Sequence, residues 1–136
     1  EEHDRLLRLD QALESLRSAY QRQDRSAFRS LLLPMDQMEE LQRQTEMDFE
    51  TFHVITLEFK IERVMIEKDD IEVFVNWQGT WKKDADDAGM RQRGHARLQW
   101  AGAPSILLRA VEGDLPFGMK TKQQLTEPLS PQGSSR

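Results

Sequence analysis

Hydrophobic residues recur at steps of three and four along the first third of the chain, which is the period of an amphipathic helix. Asp24 follows the first such segment and suits the N-cap of a short second helix, because its carboxylate can accept the free amides of the next turn. Pro34 suits the first turn of a third helix that runs to about Phe52. The pattern therefore predicts three helices with buried stripes formed by Leu6, Leu9, Leu13, Leu16 and Tyr20, then Ala27, Phe28, Leu31 and Leu32, then Met35, Met38, Leu41, Thr45, Phe49 and Phe52.

From His53 onward, apolar and polar residues alternate, which indicates strands with one face in water. The alternation slips by one residue near Glu62 and Arg63, and a bulge or bend there would curve the sheet. Further strands are predicted over residues 70–81, 90–100 and 105–112. Because the connections between them are short, an antiparallel meander is the most economical topology.

Helices followed by strands indicate an α+β fold. We expect the N-terminal helices to pack on a strongly curved antiparallel sheet, in a cone or roll. Residues 1–118 would form this single domain, a size that suits a chain of 136 residues. Residues 119–136, rich in Pro, Ser and Gln, are predicted to be a flexible tail.

Composition excludes several classes of function. The net charge of −5 argues against a protein that follows nucleic-acid phosphates, which would need an excess of basic residues. The absence of cysteine excludes disulfides and thiolate metal sites. No apolar run approaches the length of a membrane span. No His, Asp or Glu pair has a metal-binding spacing, so neither a metal nor another cofactor is expected.

The compartment is inferred from less direct features. The chain lacks cysteine, begins with a residue other than methionine, and opens with a helix that could follow a signal or anchor segment. These features favour a periplasmic or secreted protein of the bacterial envelope, with the cytoplasm as the alternative.

Several segments resemble the nuclear transport factor 2-like superfamily. "LRSAYQRQDRSAFRSLL" is similar to its opening helices, and "DIEVFVNWQGTW", "GHARLQW" and "ILLRAVEGDLPFG" are similar to its last three strands. The resemblance covers about residues 5–118, although the short hairpin often found before the third helix is missing. It implies a cone-shaped fold with a cavity at the wide end, and often a homodimer formed through the outer sheet face. Members include isomerases, dehydratases, cyclases, transport carriers and noncatalytic envelope domains, so the fold leaves the function open.

Enzymes of this superfamily use an inward Asp or His as a base, with a Tyr or Asp as a hydrogen-bond donor to the developing oxyanion. Here Tyr20 and Asp48 form the one pair that the predicted elements bring near a cavity mouth, and His53 is a further candidate. The alternative is structural: a core tyrosine with a hydrogen-bonded tip, a solvated aspartate, and a histidine at the sheet boundary.

Aromatic residues are the candidates for ligand binding. Trp77 shares a strand face with Val73 and Val75 and suits the core better than a ligand site, whereas Trp81 and Trp100 lie near strand ends, where a cone opens or a partner docks. Half-buried aromatics at such edges bind apolar molecules or other chains, or they cap a core. The predicted ligand-binding set is Tyr20, Phe49, Trp77, Trp81 and Trp100.

A cationic stripe is predicted on the third strand. His95 shares a face there with Arg91, Arg93 and Arg97. Acidic residues on neighbouring strands could stand opposite these side chains and pair with them; they are Glu58, Glu62 and Glu72. A charge-paired, solvated face is the favoured interpretation, and an anion site is the alternative.

No convincing acid–base set emerges from the sequence. The leading hypothesis is therefore a noncatalytic binding or assembly domain, which uses an apolar cone cavity, the exposed sheet face, or both. Its partner would be a small apolar ligand or another protein, and a homodimer is plausible by resemblance. The alternative is a small isomerase, dehydratase or cyclase that acts on a hydrophobic substrate by general acid–base catalysis.

Overall fold

A computed structural model describes residues 2–126 of the chain. Three helices come first and four strands follow, as the sequence predicts, so the α+β class is confirmed. The helices are α1 (Glu2–Gln21), α2 (Arg25–Arg29) and α3 (Asp36–Thr51), and the strands are β1 (Val54–Glu67), β2 (Asp70–Lys82), β3 (Met90–Ala101) and β4 (Leu107–Gly113), before a last helix α4 (Met119–Thr126).

The sheet has the order β1-β2-β3-β4, and each neighbouring pair is antiparallel. This arrangement confirms the predicted meander. The register of β1 against β2 shifts between Ile61 and Arg63, which confirms the predicted bulge. A second shift lies between Gln99 and Trp100 on β3. Bulges of this kind increase the local twist and bend the sheet around the helices.

The helix boundaries follow local chemistry. Asp24 caps α2 as predicted, with its carboxylate accepting the Ala27 amide at 3.0 Å. Helix α3 begins two residues later than Pro34 suggests, because Met35 is still extended and serves as the N-cap. Asp36 and Glu39 then lie in the first turn, where their negative charges interact favourably with the positive end of the helix dipole.

The core lies between the inner face of the sheet and the helices. From α1 it takes Leu9, Leu13, Leu16 and Tyr20, and from β2 it takes Ile71, Val73, Val75, Trp77 and Trp81. Each fully buried large apolar side chain contributes about 1.5–3 kcal/mol to folding, so this layer dominates the stability. Leu6, predicted on the same stripe, is 41% exposed. It lies beside Arg5, which reaches the Lys68 carbonyl at the tip of the β1–β2 hairpin, beyond the inner face.

Helix α1 is fastened to the edge strand β1 by polar contacts. Arg17 donates to the Leu57 carbonyl at 3.1 Å, and the Leu57 amide donates to the Gln21 side chain at 3.0 Å. These contacts give the backbone amide and carbonyl of Leu57, on the unpaired edge of the sheet, their hydrogen-bond partners. They also hold the C-terminal half of α1 against the sheet.

The end of the chain differs from the predicted flexible tail. Residues 119–126 form α4, and Met119 is buried. Helix α4 packs against α3, so this part of the segment belongs to the folded domain. The rest of the predicted tail, residues 127–136, lies outside the described residues. None of the helices in residues 2–126 combines the length and apolar character that crossing a membrane requires.

Candidate functional site

A buried pair of polar side chains lies between α1 and α3. The Tyr20 hydroxyl donates to Asp48 Oδ2 at 2.5 Å, and both residues are completely buried. The Trp81 indole N–H donates to the Tyr20 oxygen at 2.8 Å, which extends the network to β2. The structure thus brings together the two residues that the sequence singles out, but the aspartate is buried rather than solvated.

Asp48 also holds the start of α4. Its Oδ2 accepts the amides of Gly118 at 2.8 Å and Met119 at 2.9 Å, and its Oδ1 accepts the Lys120 amide at 2.8 Å. The first amides of a helix have no partners within the helix, and the negative charge of a carboxylate there interacts favourably with the helix dipole. Asp48 therefore caps a helix about seventy residues further along the chain.

The environment shifts the pKa of both groups upward. Burial raises the pKa of Asp48, while hydrogen bonds from Tyr20 and the three amides oppose that shift. Burial, followed by the charge and hydrogen bond of Asp48, raises the pKa of Tyr20 well above its usual range. Tyr20 is therefore a protonated donor at neutral pH. Four donors surround the Asp48 carboxyl group, which matches the ionised form.

The chain itself fills the space beside this pair. The Phe117 ring is 1% exposed and packs at 5.0 Å from Tyr20, 5.2 Å from Phe28 and 6.3 Å from Phe59, measured between ring centroids. Gly118 follows at φ +82°, and a Cβ there would lie 2.9 Å from the side-chain oxygen of Gln44. We name residues 115–120 the plug segment, because it packs against Tyr20 and Asp48 and fills the space beside them.

The other aromatic candidates lie in the core. Trp81 and Trp100 are 1% and 0% exposed, so neither lies at an open edge as predicted. The Trp81 indole donates to the Tyr20 hydroxyl, whereas Trp100 pairs with Ile71 on β2 and with Leu108 on β4, at the end of β3 far from the residue that pairs with Trp81.

The two remaining candidates, Trp77 and Phe49, connect to this core through Trp81 and Tyr20. Trp77 is buried, stacks edge-on against Trp81 at 6.0 Å and donates to the Asp114 carbonyl at 2.6 Å. Phe49 is half-buried at 5.8 Å from Tyr20. Tyr20, Phe49, Trp77 and Trp81 therefore form one connected group, and Trp100 is separate from it.

His53 lies at the surface. Its amide donates to the Lys82 carbonyl and its carbonyl accepts from the Gln23 side chain. It makes no hydrogen bond to Tyr20 or Asp48 within residues 2–126, so the structure does not assemble the three-residue set considered above.

The outer face of the sheet divides into two halves. In one half the basic side chains lie beside acidic ones: Arg97 contacts Glu112 at 2.9 Å and Glu72 at 3.9 Å, and His95 lies 3.7 Å from Glu62. In the other half, Arg91 and Arg93 are exposed and have no hydrogen-bond or ion-pair partner among the described residues. The predicted pairing of the stripe thus holds for His95 and Arg97, whereas Glu58 accepts from Gln78 instead.

Two surface grooves lie along this face. The larger, of about 820 Å³, contains Arg91 and Arg93, with Thr56, Gln78, Thr80 and Arg17 among the other lining residues. We name it the arginine groove. The second, of about 580 Å³, is lined by Phe59, Trp77, Arg93, His95 and Asp114, among others. Within residues 2–126, no group of three or more His, Asp or Glu residues is placed to hold a metal ion.

Sequence reasoning missed the plug segment. Neither Phe117 nor Gly118 is a residue that caps a helix with its own side chain. The lack of a local capping side chain before α4 indicates that a residue elsewhere in the chain supplies the cap, but it does not identify that residue as Asp48.

Comparison with solved structures finds the same fold in proteins of low sequence identity. A nuclear transport factor 2-like superfamily protein from Salmonella enterica serovar Typhimurium superposes with a TM-score of 0.75 at 10% identity, over 85% of this chain and 94% of that chain. A candidate dehydratase of the same family from Streptomyces avermitilis gives 0.71 at 13% identity, over 82% and 95%. A candidate hydroxylase from Streptomyces galilaeus gives 0.55 at 13% identity, over 90% and 83%. No protein-family model and no curated protein sequence matches the chain.

Proposed function

Proceeding from the nuclear transport factor 2-like fold of this chain, we propose that it is a noncatalytic binding domain that engages its partner on the outer face of the sheet. A fold of this kind is compatible with binding and with catalysis, so the proposal depends on the site. It selects the exposed sheet face, rather than the cone cavity, from the two surfaces considered above.

One observation carries the proposal: the chain's own donors already form hydrogen bonds with the buried Asp48 carboxylate of the Tyr20–Asp48 pair. Asp48 accepts four hydrogen bonds, three of them from backbone amides of the plug segment. A general base needs a free lone pair on an atom within about 3 Å of the substrate atom that carries the proton. Here Asp48 Oδ2 already accepts three protein donors and Oδ1 accepts a fourth, and Phe117 packs beside them against Tyr20.

The enzyme hypothesis is the second candidate. The short contact between Tyr20 and Asp48, and the occurrence of a candidate dehydratase and a candidate hydroxylase with the same fold, favour it. It requires the plug segment to leave the interior, which would expose Phe117 and break three hydrogen bonds to a buried carboxylate. Such an opening costs several kcal/mol, because each charge-assisted bond contributes about 1.5–3 kcal/mol.

Localised binding data would test the proposal. Isotope-labelled protein is titrated with a fragment library of small acids, amines, sugars and apolar rings, and the amide and indole resonances are followed. Binding that shifts the amides of Thr56, Gln78, Thr80 and Arg91 supports the outer face. Saturable shifts of the Trp81 indole and the Gly118 amide, with the outer amides unmoved, would show a ligand in the interior and refute the proposal.

Three further features complete the proposal. The ligand is a protein partner rather than a small apolar molecule, because the aromatic side chains that would form an apolar site are in the core. A homodimer through the outer face would compete with such a partner for the same surface. The periplasmic compartment expected from the sequence stays a prediction.

A further inference from the structure

The outer face of β3 shows a contrast between its two halves. Arg97 and Gln99 each contact a glutamate of a neighbouring strand, and His95 lies 3.7 Å from Glu62 of β1, the strand beyond β2. Arg91 and Arg93 lie on the same strand and the same face, yet within the described residues neither approaches a carboxylate to 4 Å. In a protein of net charge −5, two exposed arginines without an acidic partner are a local reversal of charge. Such a patch attracts anionic groups.

The register of the sheet arranges polar groups in two rows across the arginine groove. Thr56 pairs with Thr80, which pairs with Arg91. Two residues further along, Gln78 pairs with Arg93 and so places an amide beside the second guanidinium. The two arginines are about 7 Å apart along the strand, since each residue advances a strand by about 3.4 Å. The groove therefore offers two cations at fixed spacing, flanked by hydroxyl and amide groups.

This spacing is the spacing of alternate residues in an extended peptide. Carboxylates at positions i and i+2 of an extended chain lie on one side and are also about 7 Å apart. Each could form a bidentate contact with a guanidinium, which is the geometry that arginine favours for carboxylates. The Thr80 hydroxyl would remain to bond the peptide backbone, and Gln78, whose NH₂ group donates to Glu58, would offer its side-chain oxygen as an acceptor.

We propose that the arginine groove binds an acidic segment of a partner protein in extended conformation, with carboxylates on alternate residues facing Arg91 and Arg93. This inference rests on the proposed function and specifies its partner.

Acidic groups near the groove limit where the segment can lie. Glu58 lines the groove itself, at the β1 end of the Gln78 row, where it faces Arg17 and accepts from Gln78. Asp84, Asp86 and Asp87 occupy the loop between β2 and β3, and Asp87 accepts the amides of Lys83 and Gly89. None of these carboxylates lies within 4 Å of either arginine. The segment would therefore follow β3 and avoid β1 and the loop.

The test is fluorescence anisotropy with a short fluorescein-labelled peptide in which glutamates alternate with threonines. Two control peptides are used, one with glutamine for each glutamate and one with the same composition but contiguous glutamates. Arg91→Gln and Arg93→Gln are compared with Arg8→Gln, which removes the same charge from an exposed position of α1 that has no contact among the described side chains. Melting temperatures confirm that all variants are folded.

We expect the alternating peptide to bind more tightly than both controls and to weaken at about 0.5 M salt. Arg91→Gln and Arg93→Gln should each lower affinity by about tenfold, which corresponds to about 1.4 kcal/mol, and Arg8→Gln should change it by less than about twofold. Absence of binding at about 1 mM peptide, or equal losses in all three variants, would overturn the inference.

A single-stranded oligonucleotide is tested in parallel. If it binds more tightly than the peptide and loses affinity in the same two variants, the groove is a general anion site and the peptide assignment is wrong. If fragments bind the outer face but the peptide does not, the proposed function stands and this inference falls. If the peptide shifts the Trp81 indole and the Gly118 amide instead, both fall.

Discussion

Replacing Asp48 by asparagine removes the charge that holds the plug segment while it preserves the size of the side chain. An amide has one oxygen, whereas the carboxylate accepts donors on both: Tyr20, Gly118 and Met119 on Oδ2, and Lys120 on Oδ1. In either orientation of the asparagine, its NH₂ group therefore faces at least one N–H donor. At least one hydrogen bond is lost and replaced by a contact between two donors.

The magnitude follows from three contributions. An unsatisfied buried N–H costs about 1–3 kcal/mol. Loss of a negative charge at a helix N-terminus costs about 0.3–1 kcal/mol. In the other direction, the variant is relieved of burying a charge, and burial is the cause that raises the pKa of Asp48. We expect Asp48→Asn to lower the free energy of unfolding by about 2 kcal/mol at neutral pH, equivalent to roughly 6–10 °C in Tm for a domain of this size.

Urea unfolding followed by tryptophan fluorescence measures this change, with Asp10→Asn as the matched control. Asp10 is an exposed aspartate of α1 with no contact among the described side chains, so its variant should be within about 0.5 kcal/mol of the wild type. An Asp48→Asn protein that is as stable as the Asp10→Asn protein would refute the reasoning, because the carboxylate could not then be the cap of α4.

The remaining predictions concern the same network. The raised pKa of Asp48 means that the folded state binds the proton of this carboxyl group more tightly than the unfolded chain does. The stability that this tighter binding adds is fully present below the unfolded pKa and is lost as pH rises through the folded pKa. The stability difference between wild type and Asp48→Asn, measured by urea titration from pH 4 to 7, should therefore be larger at pH 4. Tyr20→Phe leaves the Trp81 N–H unsatisfied and should cost about 2–3 kcal/mol in the same assay. Phe117→Ala empties a buried site and should cost about 3–5 kcal/mol by thermal or urea unfolding. Gly118→Ala forces a side chain into left-handed backbone and should cost about 1–2 kcal/mol.

Each of these has a contrary outcome. A stability difference that shrinks towards pH 4 would mean that hydrogen bonds, and not burial, dominate the pKa of Asp48. Tyr20→Phe within about 0.5 kcal/mol of wild type would indicate that water replaces the hydroxyl. Phe117→Ala or Gly118→Ala proteins of unchanged stability would show that the plug segment contributes nothing to the fold.

Local pattern was sufficient for most of the fold. The slip in alternation near Glu62 predicted the bulge because side chains on a strand alternate strictly, so a bulge leaves a visible change of phase. Asp24 was predictable as a cap because its partner is three residues away. Boundaries such as the start of α3 were less certain, since Pro34 is compatible with a helix and with the turn before it.

The plug segment could not be predicted, because its determinants are distant in sequence. Asp48 and Lys120 are separated by 72 residues, and nothing in the composition of residues 115–126 identifies the carboxylate that caps them. The choice between an edge site and a core position for Trp81 stayed open for the same reason. Its position near a strand end is compatible with exposure, but Tyr20 of α1 contacts it from a part of the chain about sixty residues away. The unpaired state of Arg91 depends on which glutamates the register brings opposite, and the register is a tertiary property.

Native-state hydrogen exchange of the Gly118, Met119 and Lys120 amides measures most directly whether the interior is closed by the chain itself. If the plug segment is part of the folded core, these amides exchange only through global unfolding, with an opening free energy within about 1 kcal/mol of the value from urea. Exchange through a local opening that lies about 3 kcal/mol or more below the global value, while amides of β2 stay protected, would show an interior that opens on its own and would contradict the account.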